Sequence, residues 1–300
     1  MAGLISINGI ITPKEEAKIS PLDRGFLFGD NIFEVFVAFG TKIIDLKAHL
    51  KRLRTSAKMI ALDIPFSDES LTFELESMVE ATNFKKSYIR LVITRGEGVG
   101  LALPKENKPN KLIYCFPASP CEGEIYQEGI TLKQESMLHR QKGSHPKTGN
   151  YLTSITALGK AQKEGFNDIL WVNAEGELTE ATTANIFLIG RMGDLVEIAT
   201  PEEQSGLLLG ITRSRIIELL ERSQIPVTIR KIDTKEIPAF DEAFLCSTVK
   251  GLIPIKKIDG HRMHTKRTNS VFNHIERLYH SWIESQLSFR VDWNSGEPIS

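Results

Sequence analysis

The chain has 300 residues, with 37 Lys plus Arg against 38 Asp plus Glu for a net charge of −1. At roughly 150 residues per domain this length suits one large domain or two small ones. Apolar residues at 41% and charged residues at 25% fit a folded protein and argue against global disorder. Near-neutrality disfavours sequence-independent nucleic-acid binding, which needs a basic face. Apolar runs as short as Leu207–Leu209 disfavour a membrane span of ~20 residues. Met1–Ser6 shows no basic stretch followed by an apolar one, so no secretory signal is expected. The odd set Cys115, Cys121 and Cys246 reads as free thiols of a reduced, cytoplasmic protein. The histidines form no His-x-x-x-His pair and the cysteines no Cys-x-x-Cys set, so no metal is expected.

In chain order, Leu4 to Ile11 reads as a hairpin turning at Asn8-Gly9. Asn31 to Phe39 reads as a strand with Phe33, Val35, Val37 and Phe39 on one face. A second strand covers Lys42 to Asp45. A helix from about Lys47 to Ala61 carries Leu50, Leu53, Ala57 and Ile60 at helical spacing. Ser67-Asp68 caps a helix through Glu80, and strands follow at Ser87–Thr94 and Lys111–Phe116 around a loop, Arg95–Asn110. Prolines and a glycine mark residues 117–125 as an interdomain loop.

The second half alternates strands and helices. Strands are expected at Ile130–Met137, Asp168–Val172, Leu178–Ile189, Val227–Ile232, Ala243–Ser247 and Ile253–Ile258. Helices are expected at about Asn150–Glu164, with Leu152, Ile155, Leu158 and Ala161 on one face, and at Thr212–Arg222. The last helix, about Thr268–Glu284, places Val271, Ile275, Leu278 and Trp282 together. The pattern is α+β (mixed α/β). It divides into an N-terminal α/β domain at 1–116, a C-terminal α/β domain at 126–287 and a loose tail at 288–300.

Four stretches could carry chemistry. His145–Tyr151 sets Lys147 between a strand and a helix, beside Gly149, where the backbone can approach closely. Partial desolvation there would free the amine as a nucleophile; an ordinary surface lysine is the other reading. Gly206–Arg213 opens a helix whose first N–H groups and Thr212 hydroxyl suit a phosphate, although glycines for chain geometry alone would look the same. Leu178–Asn185 holds Glu180 among small hydroxyl-bearing residues, fit to meet a heteroaromatic cation or to lie solvated on an edge strand. Arg52, between Leu50 and Leu53, lies near the buried stripe of its helix and needs an anion, which could equally be a structural carboxylate.

These stretches gain meaning from their order. Asp23–Asp30 with Phe33-Glu34, His49–Leu53, Lys147–Tyr151, Glu180–Phe187, Gly210–Arg213, and Ser247-Thr248 ahead of Ile253-Pro254-Ile255 follow one another along the chain. Together they resemble the class IV aminotransferase family, the fold-type IV pyridoxal phosphate (PLP) enzymes, from about Leu4 to Leu278. The resemblance implies a two-domain fold like that of D-amino acid aminotransferase, with PLP as cofactor. By position, Lys147 resembles the lysine that bonds to PLP and does the catalytic proton transfer. Arg52, Ile211, Thr212 and Thr248 resemble the phosphate contacts, Glu180 the carboxylate facing the pyridine nitrogen, and Tyr151 the aromatic near the ring hydroxyl. Phe33, Tyr88, Arg90, Thr248 and Val249 fall where branched-chain enzymes line their substrate pocket.

The implied activity is ping-pong transfer of an amino group between an aliphatic, branched-chain-like amino acid and a 2-oxo acid. The implied assembly is a homodimer, for which Phe26 and Phe28 would suit an interface. Two family alternatives stay open. Val35-Phe36-Val37 replaces the usual branched-chain Gly-Ile-Arg, and Phe33-Glu34-Val35 is closer to D-amino acid transaminases. Asp23-Arg24-Gly25 is common in aminodeoxychorismate lyases, which release pyruvate. Lys250, after Thr248-Val249, binds a substrate carboxylate if it faces the pocket and says nothing of specificity if it faces solvent.

Overall fold

The computed structural model describes residues 3–106, 108–118, 123–137, 142–192, 195–293 and 297–299. The chain forms two compact units. The first joins Met1–Pro120, Pro146–Tyr151 and Glu284–Ser300; the second joins Cys121–His145 and Leu152–Ile283. Of the loop expected at 117–125, residues 119–122, Cys121 among them, lie outside the described residues, and Gly123–Gln127 is a short helix.

The first unit is built on an antiparallel sheet. Its strands run in the order Ile10–Pro13, Leu4–Ile7, Lys111–Pro117, Lys86–Thr94, Asn31–Phe39 and Lys42–Ile43. The hairpin turns at Asn8-Gly9 as expected, with φ 52° and 90°, the doubly left-handed turn that matches strand twist. Helices Leu46–Met59 and Asp68–Thr82 cover one sheet face. Ser67 caps the second, its Oγ accepting from the Ser70 N–H at 3.1 Å. Leu50, Leu53, Leu71 and Leu75 from these helices pack on Ile32, Phe36 and Ile89 of the sheet.

Phe33, Val35, Val37 and Phe39 share one face of strand Asn31–Phe39, as their alternation predicts. The helices cover the opposite set, Ile32, Phe36 and Ala38, while Phe33, Val37 and Phe39 are also buried. The strand is therefore closed on both sides, and Glu34, on the helix side, is wholly buried.

The second unit is a mixed sheet in the order Thr228–Arg230, Leu195–Pro201, Asn185–Met192, Glu242–Ser247, Gly251–Ile258, Ile130–Ser136, Asp168–Val172, Leu178–Ala181. The last strand returns to Asn185–Met192 through the single pair Glu180 and Asn185, so six of the strands close a ring. Leu132, Leu170, Ile186, Leu188, Leu245 and Ile255 fill its core.

Several local expectations are revised. The strand expected over Leu178–Ile189 is two, because the chain bends after Ala181, where the Thr182 hydroxyl donates to Asp168 Oδ1 at 2.8 Å. Leu195–Pro201, a strand with only weak alternation, was not anticipated by the pattern. Helix Leu152–Lys163 buries only Ala161, with Leu152 77% and Ile155 63% exposed. The last helix, Val271–Ser285, buries Phe272, Ile275, Tyr279 and Ile283, a stripe rotated one residue from the expected one. Within the tail expected to be loose, Arg290–Asp292 pairs with Glu297–Ile299, and Val291 is buried. No helix among the described residues is long and apolar enough to cross a membrane.

Candidate active site

In the first unit, the short stretch Pro146–Tyr151 is bound edge-on to the start of strand Asn31–Phe39. The Phe33 N–H donates to the Lys147 carbonyl at 3.0 Å, and Thr148 bridges Ile32 in antiparallel fashion. From the other side, the Lys147 N–H donates to Ser56 Oγ at 3.1 Å, from a serine buried in helix Leu46–Met59. Gly149 leaves room for Asn31: a Cβ there would lie 2.7 Å from Asn31 Oδ1 and 2.8 Å from its Nδ2, so that side chain would have to shift. These three constraints hold the Lys147 backbone and send its side chain over Phe33, with Nζ 4.6 Å from the ring centroid. Tyr151 meets the same ring at 5.8 Å between centroids.

Phe33 also receives Arg90, whose guanidinium carbon lies 3.9 Å from the ring centroid. Register explains the meeting: Arg90 pairs with Val35 and Tyr88 with Val37 on adjacent antiparallel strands. Phe33, Val35, Val37, Tyr88 and Arg90 therefore share one sheet face. Four of the expected site residues of this unit (Phe33, Arg90, Lys147 and Tyr151) thus converge on one aromatic ring, with Tyr88 beside them.

Arg52 reaches its anion on the other side of the same strand. Its Nε donates to Glu34 Oε1 and one terminal nitrogen to Oε2, both at 2.7 Å, the paired geometry of guanidinium and carboxylate. His49 Nδ1 lies 2.7 Å from Glu34 Oε2. Burial pushes the Glu34 carboxyl up, but Arg52 and His49 outweigh burial and hold it at about 2. Burial pushes His49 down against the pull of Glu34, so the imidazole is neutral and its Nδ1–H donates. The structural carboxylate considered for Arg52 is therefore present. Glu34 was missed as a functional residue; its signal was a carboxylate at the helix-facing parity of a strand, where only a paired charge is tolerated.

In the second unit, Glu180 sits at the closure of the strand ring, mostly buried. Its Oε2 accepts from the Leu208 N–H at 3.1 Å and from Asn185 Nδ2 at 3.2 Å, and its Oε1 lies 3.2 Å from His145 Nε2. Asn185 ties this carboxylate to the following loop, because the same Nδ2 donates to the Leu208 carbonyl at 2.9 Å. A Cβ at Gly210 would collide with Asn185 Oδ1, so Gly210 lets the loop close on Asn185. Gly210 is the N-cap of helix Ile211–Arg222 and supplies no side-chain cap, while Thr212 is buried in the first turn. Arg213 is also buried, donating to Thr200 Oγ1 and the Pro201 carbonyl. His145, Asn185 and Leu208 each stood inside a quoted stretch, but none was identified from sequence as holding Glu180.

Thr248 and Val249 occupy the half-buried turn between strands Glu242–Ser247 and Gly251–Ile258. Lys250 is exposed, and its carbonyl accepts from the Tyr126 hydroxyl at 2.6 Å.

These groups match the reactive features of PLP. A lysine amine suits its aldehyde, a buried carboxylate its ring nitrogen, and an uncapped helix start with a buried threonine its phosphate. The sequence family described as amino-transferase class IV matches residues 31–258. The chain belongs to this family. A Methanocaldococcus jannaschii relative, provisionally named a branched-chain-amino-acid aminotransferase, is 30% identical over 276 residues, 92% of this chain and 94% of the relative. The D-alanine aminotransferase of Bacillus licheniformis is 26% identical, covering 96% of this chain and 99% of its own. Among solved structures, the branched-chain aminotransferase of the archaeon Thermoproteus uzoniensis with norvaline superposes with a TM-score of 0.82 at 26% identity, covering 95% of this chain and 96% of that one. The chain is thus an aminotransferase with the two-domain, fold-type IV architecture expected from its motifs.

Proposed function

We propose that this chain transfers the amino group of a branched-chain or similar aliphatic amino acid to a 2-oxo acid, with PLP as cofactor. The observation that carries this reading is Lys147, clamped through its own backbone and delivered onto Phe33. PLP, when bound, supplies an electron sink for the carbanion formed at the substrate α-carbon. Lys147 holds the cofactor between turnovers and, once released as a free amine, moves the proton of the α-carbon. Arg52, oriented by Glu34, holds the phosphate together with the Ile211 and Thr212 end of the helix and with Thr248. Glu180 would hold a proton at the ring nitrogen, and Tyr151 would stand by the ring hydroxyl. Phe33, Tyr88, Arg90, Thr248 and Val249 line the substrate side. An apolar face with Arg90 as a cation suits an aliphatic side chain with an acidic co-substrate.

A substrate panel tests the reaction. Keto-acid formation from L-leucine that depends on 2-oxoglutarate is the expected result. Preference for D-alanine would move the chain to the D-amino acid branch. Pyruvate released from aminodeoxychorismate without any acceptor would replace transfer by lyase chemistry. Glu180→Ala is expected to retain PLP while turnover falls by roughly 10²–10³, the scale of losing one preorganised electrostatic group. Near-normal turnover would remove Glu180 from the ring nitrogen.

The working form we propose is a cytoplasmic homodimer. Phe26, Val99 and Leu101 are 72%, 78% and 81% exposed in the single chain, apolar surface that a second copy would cover. Cys115 and Cys246 are buried free thiols, as suits a reducing compartment. Sedimentation velocity should give twice the chain mass. A monomer with full activity would count against the dimer.

A further inference from the structure

Glu180 has three identified donors, and they are not alike. Asn185 and the Leu208 N–H are neutral and fixed. His145 is an imidazole, about one-third exposed at its side chain, with Nε2 3.2 Å from Glu180 Oε1. It lies in the loop residues just before the Pro146–Tyr151 stretch, and nothing assigned above to the reaction uses it. We propose that His145 is a positioning residue whose protonation sets how much negative charge Glu180 presents, so that activity falls as His145 gains a proton. The inference rests on the reading that Glu180 faces the cofactor nitrogen.

The physical argument concerns charge. A neutral imidazole donating Nε2–H orients the carboxylate and leaves its full charge available. A protonated one forms an ion pair at the same distance and offsets that charge. Glu180 then supports a proton on a facing heteroaromatic nitrogen less well. By reciprocity, a cation opposite Glu180 makes His145 harder to protonate.

The neighbouring charged groups do not supply this switch. Burial pushes Arg213, on helix Ile211–Arg222, down against the pull of Glu180 and Glu203, but a guanidinium stays charged, and it donates to Thr200 Oγ1 and the Pro201 carbonyl. Burial pushes the Cys246 thiol, on strand Glu242–Ser247, up to about 12. Asp168, on the strand beside Glu180, is pushed up by burial and receives the Thr182 hydroxyl. On the loop of His145 itself, Lys142 pairs with Glu175 at 2.9 Å. Among these side chains, His145 alone is an imidazole, a group that can either donate a neutral N–H or carry a positive charge.

Two measurements on the full chain test the proposal. In the first, the His145 ring signal is identified by its loss in His145→Gln and followed by NMR against pH, in the wild type and in Glu180→Gln, before cofactor is added. Removing the carboxylate should move the His145 transition to lower pH, and adding PLP to the wild type should move it the same way. In the second, kcat/KM is followed against pH. His145→Ala should lose the acidic limb together with part of the turnover. His145→Gln, which keeps a donor but cannot titrate, should regain turnover severalfold over His145→Ala without regaining the limb. A His145 transition identical in wild type and Glu180→Gln overturns the proposal, and so does an acidic limb that persists in His145→Gln. Failure of the PLP reading would show separately, as a chain that develops no visible absorbance with PLP while the cofactor-free titration still reports on His145 and Glu180.

Discussion

Lys147→Ala is expected to abolish the visible absorbance that the chain develops with PLP and to lower turnover by roughly 10³-fold or more. The variant loses the covalent hold on the cofactor and the amine that moves the substrate proton together, each a large term alone. Stability should change little, because the constraints on this stretch are made by its backbone: the Lys147 carbonyl with Phe33, its N–H with Ser56, and Thr148 with Ile32. The side chain contributes mainly its approach to the Phe33 ring. Absorbance spectra and thermal melts on the same preparation separate the two effects. An undiminished band would mean that another lysine carries the cofactor.

Glu34→Gln is expected to cost about 3–5 kcal/mol of stability, the usual loss when one member of a buried charge pair is removed. Arg52 would keep its charge with no carboxylate on its Nε edge, and His49 would lose the acceptor at its Nδ1. The wild-type pH dependence has a definite sign. The Glu34 carboxyl is held at about 2 in the folded chain, below its unfolded value of about 4.3, so the folded state binds fewer protons. Its contribution is complete above the unfolded value and is lost as pH falls toward about 2. His49, pushed down by burial, acts in the same direction, beginning as pH falls below its unfolded value of about 6.5. Melting temperature should therefore fall steadily on acidification, and the steepest part, at carboxylate pH, should be missing in Glu34→Gln. A variant with wild-type stability and an unchanged acid profile would show that this buried triad does not stabilise the fold.

Much of this was legible from residue spacing. Strand Asn31–Phe39, the Ser67 cap and the Asn8-Gly9 turn depend on local chemistry, and each formed where the sequence placed it. What spacing could not supply was the partner surface. Leu152 and Ile155 have helical periodicity, but periodicity does not say whether a face meets the chain's own core, and here it does not. The last helix shows the same limit: Phe272 and Tyr279 compete with Val271 and Leu278 for the inner side, and only the packed sheet decides. At the site, Lys147, Glu180 and Arg52 stood out through the order of the motifs that carry them, since each stretch alone also had an ordinary structural reading. Glu34 and His145 were not, because each acts through a contact with a residue 15 or more positions away.

The membership of the Pro146–Tyr151 stretch bears on how this protein can be taken apart or recombined. Six residues in the middle of the chain belong structurally to the first unit, while the residues on both sides of them belong to the second. A single splice near residue 120 would therefore separate the first unit's helices and sheet from the lysine that hydrogen-bonds to them. Chimaeras with relatives of different specificity would need to exchange Asn31, Phe33 and Ser56 together with residues 146–151, as one matched cassette. Swapping at the composition boundary alone would pair a foreign lysine stretch with a strand edge shaped for another.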